Sequence, residues 1–261
     1  MSYLRLWWRF VVISFVHVME YRVNFVFSVL EGVVQLLLAV LTFGLLYRFT
    51  DVVAGWSQAE VLMLVGIYRV VDAVISLQIA PNMTAISGYI RHGDLDFILL
   101  RPVSSQFLVS TRLVALPAAV NALIGIALTV YAGKAAGVRW SAEGIVGAAG
   151  FLSCGVVLLY CLWFFTVTFS FWLVQVDNLD YLFYGVFEAA RYPVSFFKGL
   201  VRALLTFAFP VAFATTFPTR ALLDGPDVRL LLLGGVLAGA GLVGTHLFWN
   251  RAVRHYSSAS S

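Results

Sequence analysis

The residues of this sequence best placed to do chemistry are the charged side chains that fall inside its hydrophobic stretches: Glu31, Arg69, Asp72, Glu188 and Arg191. Ionisable groups are costly inside a bilayer and mark substrate paths, proton relays or mutually neutralising pairs. Arg69 and Asp72 are three residues apart, as are Glu188 and Arg191, so each pair can meet on one helix face. Glu31 has no local partner of opposite charge, and we expect it to pair with Arg69 or Arg191 on a neighbouring helix.

Two interpretations of these charges remain open. They could form a polar lining for a substrate path, or they could be buried pairs that fix helix register or a subunit interface. The self-neutralising spacing of the two pairs favours the second interpretation.

Other reactive side chains give no site. The four histidines, at positions 17, 92, 246 and 255, are scattered without metal-ligand spacing, and no arrangement of a nucleophile with a base stands out. Cys154 and Cys161 lie seven residues apart in one hydrophobic stretch, on one helix face but too distant for a disulfide. We therefore expect no catalytic residue and no metal site.

The composition indicates an integral membrane protein. Apolar residues make up 61% of the 261 residues and charged residues only 11%, with a mean hydropathy of +0.93. A soluble domain carries about 25% charged residues, so this chain has too little polar surface to cover a core in water. The net charge of +4 is modest and scattered, which indicates membrane flanks rather than a nucleic-acid surface.

The hydrophobic stretches predict an all-α fold with six transmembrane helices. A helix crosses a bilayer with about 20 apolar residues, and strand alternation is absent. The predicted spans are 23–47, 59–81, 107–131, 145–173, 177–195 and 228–250. All of them belong to a single transmembrane domain over residues 1–261.

Residues 1–22 predict an amphipathic helix in the membrane interface. Arg5 and Arg9 share one face with Glu20, and Trp7 and Trp8 suit the head-group level. The opposite face carries Trp7, Val11, Phe15 and Val18. A signal peptide is disfavoured because no small-residue cleavage site follows. A seventh, ragged span is the alternative.

The apolar segment 196–227 predicts a re-entrant pair of short helices before the last span. Pro210, Pro218 and Pro226 interrupt it, and irregular backbone at membrane depth needs shielding by protein. We expect its polar side chains, Lys198, Arg202, Arg220 and Asp224, to lie at the outer surface. We expect its aromatic side chains, Phe207, Phe209, Phe213 and Phe217, to point inward. If Lys198 and Arg202 were cytoplasmic instead, the fifth span would move to 203–222.

Residues 87–105 form the one strongly polar interruption between two spans. Gly93, Asp94, Leu95, Asp96, Leu99, Leu100, Arg101 and Pro102 fall within it. The glycine can end one helix and the proline can stop the next. The leucines offer an apolar anchor for a groove, and the charged residues can orient a soluble partner. An ordinary solvated loop is the alternative.

This stretch resembles the Gly-Thr-Leu-Glu-x-Leu-Leu-x-x-Pro-Val-Ser pattern of permease subunits of ABC-2-type transporters. Asp94 stands where that family commonly has threonine, Asp96 where it has glutamate, and Arg101 at a variable site. The order of an interface helix, six spans and a broken segment before the last is similar too. Residues 254–261 resemble the ending of a bacterial branch of these permeases.

The resemblance implies a permease subunit in the bacterial cytoplasmic membrane that works with a second permease, identical or different, and with two ATPase subunits. It implies an exporter whose segment 87–105 is a cytoplasmic coupling helix. No Gly-x4-Gly-Lys-Ser/Thr motif occurs in the chain, so ATP and Mg are expected on the partner ATPase and the chain itself is not an enzyme.

The orientation and the alternatives follow from the same residues. With both termini in the cytoplasm, eight basic residues lie inside and seven outside, a slight excess that favours this orientation without deciding it. An amphipathic or lipid-like substrate would suit an apolar path, while nucleic acid is not expected as a partner. The alternatives are a proton-coupled secondary transporter that uses Glu31 or Asp72, and a membrane scaffold without transport.

Overall fold

The computed structural model describes residues 3–20, 22–172 and 179–256, and these are nearly all helical. The α-helices are α1 (Tyr3–Glu20), α2 (Arg22–Leu46), α3 (Gln58–Val74), α4 (Ala80–Arg91), α5 (Leu95–Leu99), α6 (Ser105–Thr111), α7 (Ala119–Ala135), α8 (Ala142–Thr168), α9 (Leu179–Phe187), α10 (Gly199–Ala203), α11 (Val211–Ala214), α12 (Thr216–Asp224) and α13 (Val228–Arg254). Strands β1 (Val52–Val53) and β2 (Trp56–Ser57) form one antiparallel hairpin. The all-α class predicted from the sequence is confirmed, apart from this hairpin.

Five helical stretches in the described residues are long and apolar enough to cross a membrane. They are Phe25–Leu46, Gln58–Arg91, Leu116–Ala135, Ala142–Phe171 and Val228–Arg254. The first, fourth and last agree with the sequence prediction within a few residues. The predicted span 177–195 is represented by α9 and a 3-10 turn over Glu188–Arg191, which are too short by this measure. Part of that span, and residues 257–261 of the C-terminal ending, lie outside the described residues.

The second span is longer than predicted because α3 and α4 continue through a π-helical turn, Ile75–Ile79. Pro81 lies just after this turn and has no N–H to donate to the carbonyl of Leu77, four residues earlier. The N–H of Ala115 occupies that carbonyl instead, at 2.8 Å. Pro81 therefore leaves the Leu77 carbonyl without a hydrogen bond inside its own helix. Ala115, in the break between α6 and α7, supplies that bond.

The third span was predicted as one helix over 107–131, and this was wrong in detail. The helix stops after Thr111 and resumes through a 3-10 turn at Leu116–Ala118 before α7. Pro117 disfavours helical backbone in the residue before it. The interrupted backbone is bound by Asn82, whose amide donates to the Leu113 carbonyl at 2.7 Å and accepts from the Leu113 N–H at 2.9 Å.

Small residues let the spans pack closely. A Cβ atom added to Gly66 of α3 would meet the backbone of α7 at 2.7 Å, and one added to Gly155 of α8 would meet the backbone of α11 at 2.5 Å. Such contacts are typical of helices that associate inside membranes. The largest buried cluster surrounds α8 and includes Phe164, Phe187 and Trp249.

Segment 196–227 is broken as predicted. It consists of α10, a second π-helical turn at Leu204–Ala208, α11 and α12. Pro210 separates the first half from the second, whereas Pro218 lies in the first turn of α12, where a proline is tolerated. Phe213 is buried and Phe209 and Phe217 are half-buried, but the expectation that Phe207 points inward was wrong, since it is 66% exposed.

Helix α1 packs one face against the bundle. Leu6 and Phe10 contact the main core, and the indole N–H of Trp7 donates to Oε1 of Gln78 in the π-helical turn at 3.0 Å. Arg5, Trp8 and Arg9 are exposed. A helix therefore occupies the segment that was predicted to lie in the membrane interface, with Trp7 bound to the bundle and Trp8 exposed.

Candidate functional site

The charged side chains predicted from the sequence come together in one polar cluster. Arg69 of α3 is only 5% exposed, donates to Oε1 of Gln35 at 2.6 Å, and lies 3.9 Å from the Asp72 carboxylate. Gln35 of α2 in turn donates to Oε1 of Glu31 at 2.9 Å. A continuous polar chain therefore crosses from α2 to α3, within two of the candidate spans.

The second predicted pair completes the cluster. Arg191 and Glu188 form an ion pair of 2.8 Å, and the Arg191 guanidinium lies 5.7 Å from the ring centre of Tyr68. Asp72 is close enough to interact electrostatically with Arg191, Glu188 and Glu31. Both predicted i, i+3 pairs are confirmed, and the two halves of the cluster face one another.

The prediction that Glu31 pairs directly with Arg69 or Arg191 was wrong. Gln35, one turn along α2, stands between Glu31 and Arg69 and binds both. The sequence carried a signal for this residue, because Gln35 is a polar side chain four residues from Glu31 inside an apolar stretch. An amide can donate to a carboxylate and accept from a guanidinium at once, so it relays between the two charges.

A cavity of about 260 Å³ is lined by part of this cluster, with Glu31 and Asp72 outside its lining. Its polar walls are Gln35, Thr42, Arg69, Glu188 and Arg191; its aromatic walls are Phe43, Tyr68 and Tyr192; its aliphatic walls are Leu38, Ala39 and Val65. Such a mixed lining can hold a small polar group in an otherwise apolar helix bundle.

The second candidate site is the coupling segment, which we define as residues 87–105. Helix α4 ends at Arg91, and Gly93 adopts a φ of 78°, a left-handed conformation that favours glycine at a helix end. Helix α5 follows, and the Ser104 hydroxyl accepts from the Phe107 N–H to begin α6. The predicted helix between the second and third spans is therefore present.

One side of α5 is fixed in the protein and the other is bare. Leu95 is 0% exposed and Ile98 is buried in the main core, whereas Phe97 is 69% exposed and Leu100 81% exposed. The charged or turn-forming residues Asp94, Arg101 and Pro102 are exposed around them, and Asp96 is half-buried. An exposed aromatic and an exposed leucine three residues apart make a small apolar knob.

The expectation that Leu95 and Leu99 face a partner was therefore wrong, since Leu95 is buried and Leu99 packs against the core. Leu100 does face outward, and Phe97 is the outward residue that the sequence reasoning missed. The signal was available, because on a helix of this length the exposed side repeats every three or four residues.

A third group of contacts, which we call the outer latch, joins the β1–β2 hairpin to segment 196–227. The Trp56 indole N–H donates to Oγ of Ser195 at 2.9 Å, and the Tyr47 hydroxyl donates to the Trp56 carbonyl at 2.9 Å. The Arg220 guanidinium lies 4.1 Å from the Trp56 ring centre and donates to the Gly55 carbonyl at 3.3 Å. The residue just before segment 196–227 and a residue near its end thus meet at one hairpin.

Helix α6 links the coupling segment to several spans. The Trp249 indole N–H of α13 donates to Oγ of Ser105 at 3.0 Å, and Ser110 and Tyr160 of α8 share a hydrogen bond of 2.8 Å. Gln78 donates to the Ser110 carbonyl at 3.2 Å. Helix α6 therefore connects the coupling segment to α8, to α13 and to the π-helical turn between α3 and α4.

Comparison with known proteins agrees with this architecture. The family model described as ABC-2 family transporter protein matches residues 33–260, which include the polar cluster apart from Glu31, the coupling segment and the outer latch. No curated protein and no solved structure matched the chain. The match covers most of the sequence, and the chain belongs to the ABC-2 family of transporter membrane proteins.

Proposed function

We propose that this chain is the membrane half of an ATP-driven ABC transporter that exports an amphipathic substrate. The observation that carries the proposal is the bare apolar knob of Phe97 and Leu100 on a helix whose other side is anchored in the core. Exposed apolar groups of this kind mark contact sites for another protein. A rigid short helix anchored in this way can receive motion from a soluble partner and pass it to the spans.

The partner is a separate ATPase, because the chain contains no P-loop motif and its loops are too short for an ATPase domain. Two ATPase subunits, each with its own ATP and Mg, would serve two permease subunits, the second identical to this chain or different. Asp94 and Arg101 orient the ATPase around the apolar knob. The chain itself binds no cofactor in this scheme.

The location follows from the same assignment. The coupling segment must face the ATP-containing side, so both termini and α1 lie at the cytoplasmic face of a bacterial cytoplasmic membrane. Arg5, Trp8 and Arg9 then meet the inner head groups, where basic and tryptophan side chains are favoured.

Segment 196–227 serves as an outer lid on the substrate path. In support, Ser195, just before the segment, and Arg220, near its end, both bind the β1–β2 hairpin. A cysteine at Lys198 and one at Asp224, in a background without Cys154 and Cys161, should react with an impermeant thiol reagent from outside the cell. Reaction of Lys198→Cys from the cytoplasm and of Asp224→Cys from outside would replace the lid with a crossing.

The direct test is affinity purification of the tagged chain in mild detergent, followed by identification of the copurifying proteins. An ABC ATPase should be recovered with the wild-type chain and should hydrolyse ATP in the complex. Recovery of the chain without any ATPase, together with transport that follows a proton gradient, would favour the secondary-transporter alternative. Recovery with neither transport nor ATPase would favour the scaffold.

A further inference from the structure

The cavity in the polar cluster has room for the head group of a ligand but not for a whole drug-sized molecule. Its volume of about 260 Å³ lies below the usual range for small-molecule pockets. Its mouth lies beside Glu188, whose side chain is 59% exposed, and Leu38 of α2, which is 58% exposed. A polar head group can therefore enter while an attached apolar tail stays outside, along α2.

The surface beside the mouth suits such a tail. Val34, Leu38 and Leu41 repeat at helical spacing on α2, and each is more than half exposed. Only 11% of the apolar 18-residue window of this span is buried, so this apolar stripe is open along the helix. An amphiphile fits this geometry better than a soluble polar molecule does.

The charged walls of the cavity suit a head group that carries both signs of charge. Glu188 contributes one carboxylate, and Arg69 and Arg191 contribute two guanidinium groups. Glu31 and Asp72 belong to the same polar cluster but are not among the lining residues. A ligand with one anionic and one cationic group can therefore meet a partner of opposite charge for each of them.

The aromatic walls favour an ammonium group as that cation. Phe43 and Tyr192 pack edge to face, 5.6 Å between ring centres, and Tyr68 lines the cavity beside them. Aromatic faces attract ammonium groups, most strongly where water is excluded. A carboxylate with aromatic neighbours is a suitable pocket for an amine.

Arg191 indicates that the ligand also carries a hydrogen-bond acceptor. Its Nε atom is buried and has no hydrogen-bond partner in the described part of the chain. A buried donor without an acceptor is destabilising, by about 1–3 kcal/mol in general. An acceptor oxygen on the ligand, one bond or a few bonds away from the amine, would satisfy it.

We propose that the cavity binds the head group of a zwitterionic amphiphile. Its ammonium group lies between Glu188 and Tyr192, its acceptor oxygen binds Nε of Arg191, and its apolar tail follows Val34, Leu38 and Leu41. This inference rests on the proposed function, since it names the substrate class of that transporter.

The test measures lipid binding to the purified chain alone, by native mass spectrometry in detergent. Phosphatidylethanolamine should bind at least tenfold more tightly than phosphatidylglycerol with the same acyl chains. Glu188→Gln and Arg191→Gln should each remove that preference. Glu143→Gln and Arg202→Gln, which change exposed residues that do not line the cavity, should keep it. Equal binding of the two lipids, or an unchanged preference in Glu188→Gln, would overturn the proposal.

Two further measurements test the aromatic wall of the cavity and the recognition of the apolar tail. Tyr192→Phe should keep the preference and Tyr192→Leu should weaken it, so the aromatic wall is tested even where a charge variant fails to fold. Soluble phosphoethanolamine should bind far more weakly than the intact lipid; equal binding would show that the tail is not recognised. Because the binding test contains no ATPase, equal binding of the two lipids by the wild-type chain refutes this inference alone, and absence of a copurifying ATPase refutes the proposed function.

Discussion

The two ends of the helix that runs from Gln58 to Arg91 present opposite surfaces. At the Gln58 end Trp56 is 1% exposed and is held by Tyr47, Ser195 and Arg220. Past the Arg91 end, α5 leaves Phe97 and Leu100 mostly exposed. At one end the polar and aromatic groups bind one another within the chain, and at the other end two apolar side chains are largely unpacked in the described part of the chain.

This difference separates two kinds of constraint on the sequence. Substitutions in the outer latch should cost folding stability, because the contacts there are within the chain. Substitutions of the exposed knob should leave folding intact and cost association, because the contacts there belong to a second protein.

The largest effect on stability is expected for Trp56→Ala. The change removes a fully buried indole and its two polar contacts, and large-to-small changes of this type cost about 3–5 kcal/mol. Thermal unfolding in detergent should show a strongly lowered midpoint. Trp8→Ala, which removes an exposed indole, is the matched control and should leave the midpoint nearly unchanged. An equal fall of the unfolding midpoint in Trp56→Ala and Trp8→Ala would show that the Trp56 contacts are not special for stability.

The next effect is on association. Phe97→Asp, alone or with Leu100→Asp, should lower the recovery of the ATPase at least tenfold, because a charge replaces the apolar contact, while the unfolding midpoint of the isolated chain stays as in the wild type. Phe49→Asp changes an equally exposed aromatic residue near the outer latch, and its ATPase recovery should be unaffected. A fall in stability without a fall in recovery would place Phe97 in the fold rather than in the contact.

Tyr47 adds a dependence on pH to the outer latch. Burial raises the pKa of its phenol above the usual 10.0, and the nearby Glu60 carboxylate adds to the shift. As pH rises, the unfolded chain loses this proton first, so the stability due to Tyr47 is complete below pH 10 and falls above it.

Tyr47→Phe should therefore cost about 1 kcal/mol at neutral pH, through the lost bond to the Trp56 carbonyl. It should also flatten the loss of stability above about pH 10, as seen in unfolding midpoints measured from about pH 8 to about pH 11. An unchanged alkaline slope in the variant would show that other groups control it.

The smallest effect is expected for Arg220→Gln. Its side chain is partly exposed, and cation–π contacts at such sites contribute about 0.5–1 kcal/mol. The unfolding midpoint should fall slightly, and a cysteine at Lys198 should react faster with thiol reagents because the lid is held less firmly. A larger loss than that of Trp56→Ala would reverse the assigned order within the latch.

Much of this architecture was predictable from the sequence, because it depends on local patterns. Apolar length located five of the six predicted spans, and the i, i+3 spacing predicted the Arg69–Asp72 and Glu188–Arg191 pairs. The Gly93-to-Pro102 pattern located α5. In each case the information lies within a few residues of the feature.

The remainder depends on contacts between distant segments. The break before α7 depends on the Leu77 carbonyl that Pro81 leaves free, and on Asn82. The bridge of Gln35 to Arg69, and the approach of Ser195 and Arg220 to Trp56, join residues far apart in the chain. Which side of α5 is bare also depends on where the core lies.

The most direct test of the central claim is chemical crosslinking at the coupling segment. In a chain without Cys154 and Cys161, single cysteines at Phe97, Leu100 and Phe49 would be treated with a short thiol-reactive crosslinker in the purified complex. The account predicts that Phe97→Cys and Leu100→Cys each crosslink to the ATPase, while Phe49→Cys does not. An ATPase that copurifies but crosslinks at Phe49→Cys, or at none of the three positions, would contradict it.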